Sequence, residues 1–177
     1  ENRMSVLIGY TGFVGGTLSR QYTFDELYNS KNIGELAGSG ADLVVCAGLP
    51  AKKWLANRNP DDDWNNICSL MTVLKTVEAK KFVLISTIDV FQNTFDGDET
   101  AVESIAGGHP YGLNRLNFER NVQSQFPDCL VVRLPGLFGT GLRKNVIYDL
   151  LNGNCVESIN VFSKFQWYDM RHLWRSG

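Results

Sequence analysis

Apolar positions in this chain gather into short continuous runs, separated by stretches with helical spacing. "SVLIGY", "ADLVVCAG", "KKFVLISTI" and "DCLVVRLPG" are rich in aliphatic and β-branched residues. Runs of this kind fit parallel strands covered on both faces. Between them, residues 12–20, 62–79 and 111–125 carry helical patterns. The middle stretch sets Trp64, Ile67, Cys68, Met71, Leu74 and Val77 along one stripe, which reads as core. Strand and helix alternate, which predicts an α/β fold with a doubly wound parallel sheet. After Gly136 the alternation turns irregular, through "GTGLRKN", a short helical stretch near 146–151 and an aromatic tail.

The first βα junction changes the picture from fold to chemistry. "VLIGYTGFVGG" places Gly9, Gly12 and Gly15 three apart between a strand and a helix, with Thr11, Phe13 and Val14 between them. Gly9 suits the tight turn, Gly12 lets backbone approach a pyrophosphate, and Gly15 allows close helix–strand packing. The helix start then offers free N–H groups and a positive dipole end to phosphates. The alternative is a tight βα turn without ligand. An NAD-binder carries Asp or Glu about 20 residues on, to accept from the ribose 2′-OH. That count reaches Asn29; Asp25 and Glu26 come too early if the second strand covers 26–28. Ser30 and Lys31 offer a hydroxyl and a cation where a 2′-phosphate would sit. NADP is therefore favoured over NAD, with a solvated lysine as the other reading of Lys31.

Bulk properties narrow the classes further. The 177 residues suit one domain, taken as 4–177, and the residues before Met4 are set aside. A net charge of −2, with 44% hydrophobic and 20% charged residues, supplies no basic footprint for nucleic acid or a membrane surface. No run of about 18 apolar residues and no signal-peptide pattern occurs, so a cytoplasmic location is expected. Cys46, Cys68, Cys129 and Cys155 are widely spaced, without C-x-x-C. Buried reduced thiols are expected rather than disulfides or a metal site. His109 and His172 lack ligand-like company, so no metal is expected.

"HPYGLNRLNFER" sets Tyr111 four places before Arg115, and residues four apart share a helix face. Taken alone, the pair is either a proton-transfer couple or two surface side chains. Six ordered stretches bear on the choice: "GYTGFVGG", "VVCAGLP", "FVLISTIDVF", "HPYGLNR", "VVRLPGLFG" and "KNVIYDLL". Together they resemble the extended short-chain dehydrogenase/reductases, the NAD-dependent epimerase/dehydratase family. That group includes nucleotide-sugar epimerases and dTDP-4-dehydrorhamnose reductase.

The resemblance implies a Rossmann fold with a small or incomplete C-terminal substrate lobe from about residue 137 onward. It also implies NADP or NAD as cofactor. Tyr111 matches the family's general acid/base, and Thr87 the residue that hydrogen-bonds the substrate oxygen. Arg115 stands where the family has a lysine that binds the nicotinamide ribose and lowers the tyrosine pKa. Arginine keeps the charge but cannot release a proton at neutral pH. Cys46, Ala47 and Gly48 resemble the loop beneath the cofactor ribose, Asn66 an asparagine beside that loop, and Pro135 the turn near the nicotinamide. Asn145 resembles an asparagine that touches a substrate diphosphate. Arg143, Lys144 and Asn145 cluster where an anionic substrate could bind, with solvated loop charges as the alternative. Asp89 resembles a carboxylate used by related dehydratases, but the adjacent acid is Ile88 here, so reduction or epimerisation is favoured over dehydration. Gly136 and "KFQWYDM" depart from the family's phosphate-contacting pattern.

The expected function is that of an NAD(P)-dependent oxidoreductase or epimerase. Its substrate would be a carbonyl or secondary alcohol of a sugar or nucleotide-sugar, with a homodimer as one possible assembly. The alternative is a catalytically decayed dinucleotide-binding regulatory or scaffold protein. The length also falls short of what the resemblance implies, which leaves much of a substrate lobe out of view.

Overall fold

A computed structural model describes residues 4–50, 52–87, 90 and 109–134. In chain order these form β1 (Ser5–Ile8), α1 (Phe13–Gln21), β2 (Glu26–Tyr28), a 3-10 turn (Ile33–Leu36), β3 (Gly40–Cys46), α2 (Lys53–Arg58), α3 (Pro60–Leu74), β4 (Glu78–Thr87), α4 (Pro110–Gln125) and β5 (Cys129–Leu134). The strands make one sheet in the order β2-β1-β3-β4-β5. Every neighbouring pair is parallel. The chain winds outward from β1 to β2, then returns to the other side of β1 as β3. The doubly wound Rossmann-like sheet expected from the sequence is the fold observed.

Alternation along each strand divides the core in two. Val6, Ile8, Val44, Cys46, Phe82, Leu84 and Val131 face one way and meet Ile67, Leu74, Phe118 and Val122 of α3 and α4. Leu7, Val45, Val83, Leu130 and Val132 face the other way and meet Leu18 of α1. Cys46 and Cys129 lie in this core as free thiols. Burial pushes the Cys46 thiol up to about 11 and the Cys129 thiol up to about 12, so both behave as small hydrophobes.

The middle helix is shorter than its apolar pattern suggests. α3 stops at Leu74, and Val77 N–H bonds back to the Leu74 carbonyl at 3.0 Å. Glu78 and Ala79 already pair with Gly40 and Ala41 of β3. The Thr76 hydroxyl pins this corner: it accepts from Gly38 N–H at 2.9 Å and donates to the Val73 carbonyl at 2.7 Å. Val77 fits the helical stripe only because the residue leaving the helix is also buried. The short α2 carries no periodic signal and went unforeseen.

A buried ion pair ties α4 to β5. Arg133 donates from Nε to Glu119 Oε1 at 3.0 Å and from Nη2 to Oε2 at 2.7 Å, with both side chains excluded from water. Removing Arg133 would leave the Glu119 carboxylate uncompensated in the core. Among the described residues, no helix is long and apolar enough to cross a membrane.

Candidate cofactor and acid–base site

The carboxyl ends of the strands converge on the point where the winding reverses, between β1 and β3. In open α/β sheets this crevice is where ligands bind. The β1–α1 turn is held from both sides. Gly9 N–H donates to the Tyr28 carbonyl at 2.7 Å, and Ala47 N–H donates to the Ile8 carbonyl at 2.8 Å.

The three glycines differ in why they must be glycine. Gly9 has φ +89°, and a Cβ there would lie 2.4 Å from the Ala47 carbonyl oxygen. At Gly15 a Cβ would lie 1.9 Å from the Gly9 carbonyl oxygen. Both are demanded by the fold. Gly12 is not. Its φ of −76° and ψ of 170° suit any residue, and the nearest atom to a Cβ is the Gly9 carbonyl oxygen at an ordinary 3.5 Å. Among the described residues, packing gives no reason for glycine here, whereas a group lying against the start of α1 does. α1 has no side-chain cap and no acid in its first turn, so its leading N–H groups and dipole favour an anion. Thr11 and Phe13 are exposed beside Gly12, and Val14 is half-buried. This open, uncapped cradle fits a dinucleotide diphosphate.

At the end of β2 the loop is built on asparagines. Asn29 N–H donates to Asn32 Oδ1 at 2.7 Å, and Asn29 Oδ1 accepts from Lys31 N–H at 2.9 Å. Ser30 and Lys31 stand exposed on this turn. Glu26 lies on β2 itself and accepts the Tyr28 hydroxyl proton in a hydrogen bond. Burial first, then this carboxylate, pushes the Tyr28 phenol up to about 12. After β3, Ala47 is half-buried and Gly48 exposed at the mouth of the crevice. Asn66 lies on the exposed side of α3.

Thr87 closes β4 on the same carboxyl edge and is buried. Tyr111 occupies the first turn of α4, where His109 caps the helix by accepting Gly112 N–H on Nδ1 at 3.1 Å. Pro110 at the first helical position fits that start. Tyr111 N–H donates to Asn57 Oδ1 of α2 at 2.9 Å. Arg115 is one turn on and only 1% exposed. Its guanidinium carbon lies 4.0 Å from the centroid of the Tyr111 ring. Nη1 donates to Asp63 Oδ2 of α3, and Nη2 to the Pro50 carbonyl oxygen at 2.7 Å. Asn114 Nδ2 reaches the same Asp63 oxygen at 2.8 Å.

Sequence reasoning brought Tyr111 and Arg115 together but missed Asp63. "PDDDW" reads as acids complementing a helix N-terminus, and Asp61 and Asp62 do stand exposed there. The available signal was spacing: Asp63 lies one turn before Ile67, on the buried stripe that continues through Met71 and Leu74. Asp89, Pro135, Arg143 and Asn145 lie outside the described residues, as does the expected substrate lobe.

No protein-family model and no curated protein matches the chain. Solved structures do. One is dTDP-4-dehydrorhamnose reductase from Bacillus anthracis in complex with NADP, with TM-score 0.58 and 16% identity over 86% of this chain and 60% of that one. A second is UDP-glucose 4-epimerase from Thermotoga maritima with UDP-glucose, with TM-score 0.55 and 17% identity over 73% of this chain and 55% of that one. The chain shares the fold of these enzymes. RMD from Pseudomonas aeruginosa, complexed with NADPH, is similar at TM-score 0.56 and 17% identity, over 86% of this chain and 63% of that one. The chain thus spans about three fifths of the length of the structures it resembles. The likeness to the epimerase/dehydratase enzymes that the six motifs suggested is matched at the level of fold.

Proposed function

We propose that the chain is the cofactor-binding part of an NAD(P)-dependent reductase or epimerase. Its substrate class would be a carbonyl or secondary alcohol of a sugar or nucleotide-sugar. The observation that carries this reading is Gly12, a glycine that the packing of the described residues does not need, at the uncapped start of α1. The Phe13, Val14 and Gly15 N–H groups bind the diphosphate there. Asn29, Ser30 and Lys31 lie where a ribose 2′-phosphate reaches, which favours NADP. Cys46, Ala47 and Gly48 form the floor beneath the cofactor, and Asn66 and Pro135 are assigned to its surroundings by the resemblance alone.

A nicotinamide cofactor bound there would supply the hydride chemistry at the substrate carbon. Tyr111 gives or takes the proton of the substrate oxygen, and Thr87 orients that oxygen. Arg115 lays its guanidinium, paired with Asp63, against the face of the phenol ring and holds it in place. Asp89, Arg143 and Asn145 are assigned to the substrate side. Incubating the protein with NADPH and a panel of nucleotide-sugars tests the reading. Loss of NADPH absorbance with one of them supports it, and failure to bind NADPH at all refutes it.

The Arg115 geometry favours a second reading, a dinucleotide-binding protein without turnover. Its guanidinium is tied to Asp63 and Pro50 inside the protein, a poor position for a ribose ligand. Arg115→Lys separates the two. A decayed site gains activity when the family's residue is restored, and an enzyme adapted to arginine loses some.

A further inference from the structure

The Arg115 position is where this chain departs from the family it resembles, and the departure has a partner. Asp63, Asn114 and Arg115 form a buried cluster in which one carboxylate oxygen takes both the guanidinium and the carboxamide. Asp63 is 7% exposed and Arg115 1%. With a second N–H on the Pro50 carbonyl at 2.7 Å, the guanidinium is fixed from two sides while its face lies on Tyr111. A lysine ammonium could not span these contacts, because it lacks the planar fork.

We propose that Asp63 is a positioning residue for Tyr111. It immobilises and neutralises the guanidinium that lies on the phenol ring, so that Tyr111 works beside a compensated ion pair and not a bare cation. This rests on reading Tyr111 as the proton-transferring group. The reason is electrostatic. A lone cation against a phenol lowers its pKa, and an adjoining carboxylate cancels part of that field. Among the described residues, the groups that face Tyr111 from other positions add no second ion to this pair. His109, whose ring centroid is 6.3 Å away, accepts the Gly112 N–H on Nδ1, a contact that only the neutral ring can make. Glu119, two turns along α4, is closed on Arg133. From α2 the contact is the neutral Asn57, while Lys53 and Arg58 are exposed to solvent. Thr87 at the end of β4 carries no charge.

The test is an ultraviolet pH titration of Tyr111, taken as the difference between each protein and the same protein carrying Tyr111→Phe. Asp63→Asn should lower the Tyr111 midpoint by about one pH unit or more. Arg115→Met should raise it by a similar amount. The double variant should return to within about half a unit of wild type, because a neutral pair and a compensated pair exert the same net charge. A folded Asp63→Asn protein with an unmoved or raised midpoint overturns the proposal. Where a single variant does not fold, the double variant decides, since it buries no unpaired charge. Its midpoint lying more than about half a unit from wild type in either direction would mean that Asp63 does not compensate the guanidinium at Tyr111, and would overturn the proposal too. NADPH titration of the wild-type protein keeps the two ideas apart. Absent binding refutes the functional reading, whereas the ionisation cycle reports on Asp63 without turnover.

Discussion

Gly12→Val and Gly15→Ala pull apart two reasons for a glycine that look alike in the sequence. At Gly15 a new methyl would meet the Gly9 carbonyl oxygen at 1.9 Å and its carbon at 2.6 Å. Both obstacles are backbone, so nothing flexible can yield, and the cost should reach about 3 kcal/mol or more. For a chain of this size that lowers the melting temperature by about 6–12 °C. At Gly12 the backbone is already in a region that valine adopts, and the nearest atom is 3.5 Å away. The cost there is the loss of a tolerable N-cap, about 1 kcal/mol or less, or about 2–4 °C. Cofactor binding should behave in the opposite sense. The introduced isopropyl group fills the approach to the α1 N-terminus, so NADPH affinity should fall about a hundredfold or more, a loss of about 2.7 kcal/mol. Thermal melts and cofactor fluorescence on the two purified variants measure both quantities. If Gly12→Val binds NADPH like the wild type, the loop is not a dinucleotide site. If it unfolds as easily as Gly15→Ala, Gly12 is needed by the fold and no longer points to a ligand.

NADP should bind more tightly than NAD, because a charge-assisted contact from Lys31 is worth about 1.5–3 kcal/mol; calorimetry showing NAD preferred, or Lys31→Ala leaving NADP affinity intact, refutes this. Tyr111→Phe should remove nearly all turnover on any substrate found while leaving cofactor affinity almost unchanged, and substantial residual turnover removes Tyr111 from the chemistry. Arg133→Met should destabilise the protein by about 3–5 kcal/mol by leaving the Glu119 carboxylate buried without the guanidinium that closes on it, and a urea midpoint near that of wild type would show the pair to be dispensable. Asp25 accepts from the Ser5 N–H at 2.7 Å and the Ser5 hydroxyl at 2.9 Å, and the backbone contact foremost holds its pKa below the usual 3.8. A depressed carboxylate stabilises above its unfolded pKa and stops doing so as pH falls through the lower folded value. The stability gap between wild type and Asp25→Asn should therefore be full at neutral pH and close in acid, and a gap that persists in strong acid contradicts this.

What the sequence revealed depended on whether a signal was local. β1, β3 and β5 were legible because strands buried on both faces leave unbroken apolar runs. The glycine turn was legible because its three positions are adjacent in the chain. The end of α3 was not, because Val77 is buried for a tertiary reason that mimics helical spacing. α2 was too short to show a period. Ser30 and Lys31 could be placed at the end of β2 by counting, whereas the asparagine scaffold that presents them needed coordinates. Asp63 was hidden among three consecutive acids, and its meaning comes only from Arg115, which is 52 positions away. A charge pair across that separation leaves no trace in a single sequence.

Helix α4 presents Tyr111, Arg115 and Glu119 four apart, each buried. Arg115 is fixed to α3 through Asp63, and Glu119 to β5 through Arg133. A helix seated on leucines alone can slip by a turn and still find grease under every side chain. α4 cannot, since a slip of one turn would bring Glu119 to Asp63 and tear two buried charges from their partners at once. The phenol's position along the helix axis is thus indexed by ionic notches rather than by shape. Trimming a leucine or phenylalanine around α4 would loosen its fit without shifting that index, whereas losing Asp63 or Arg133 would strand the α4 charge that it pairs with.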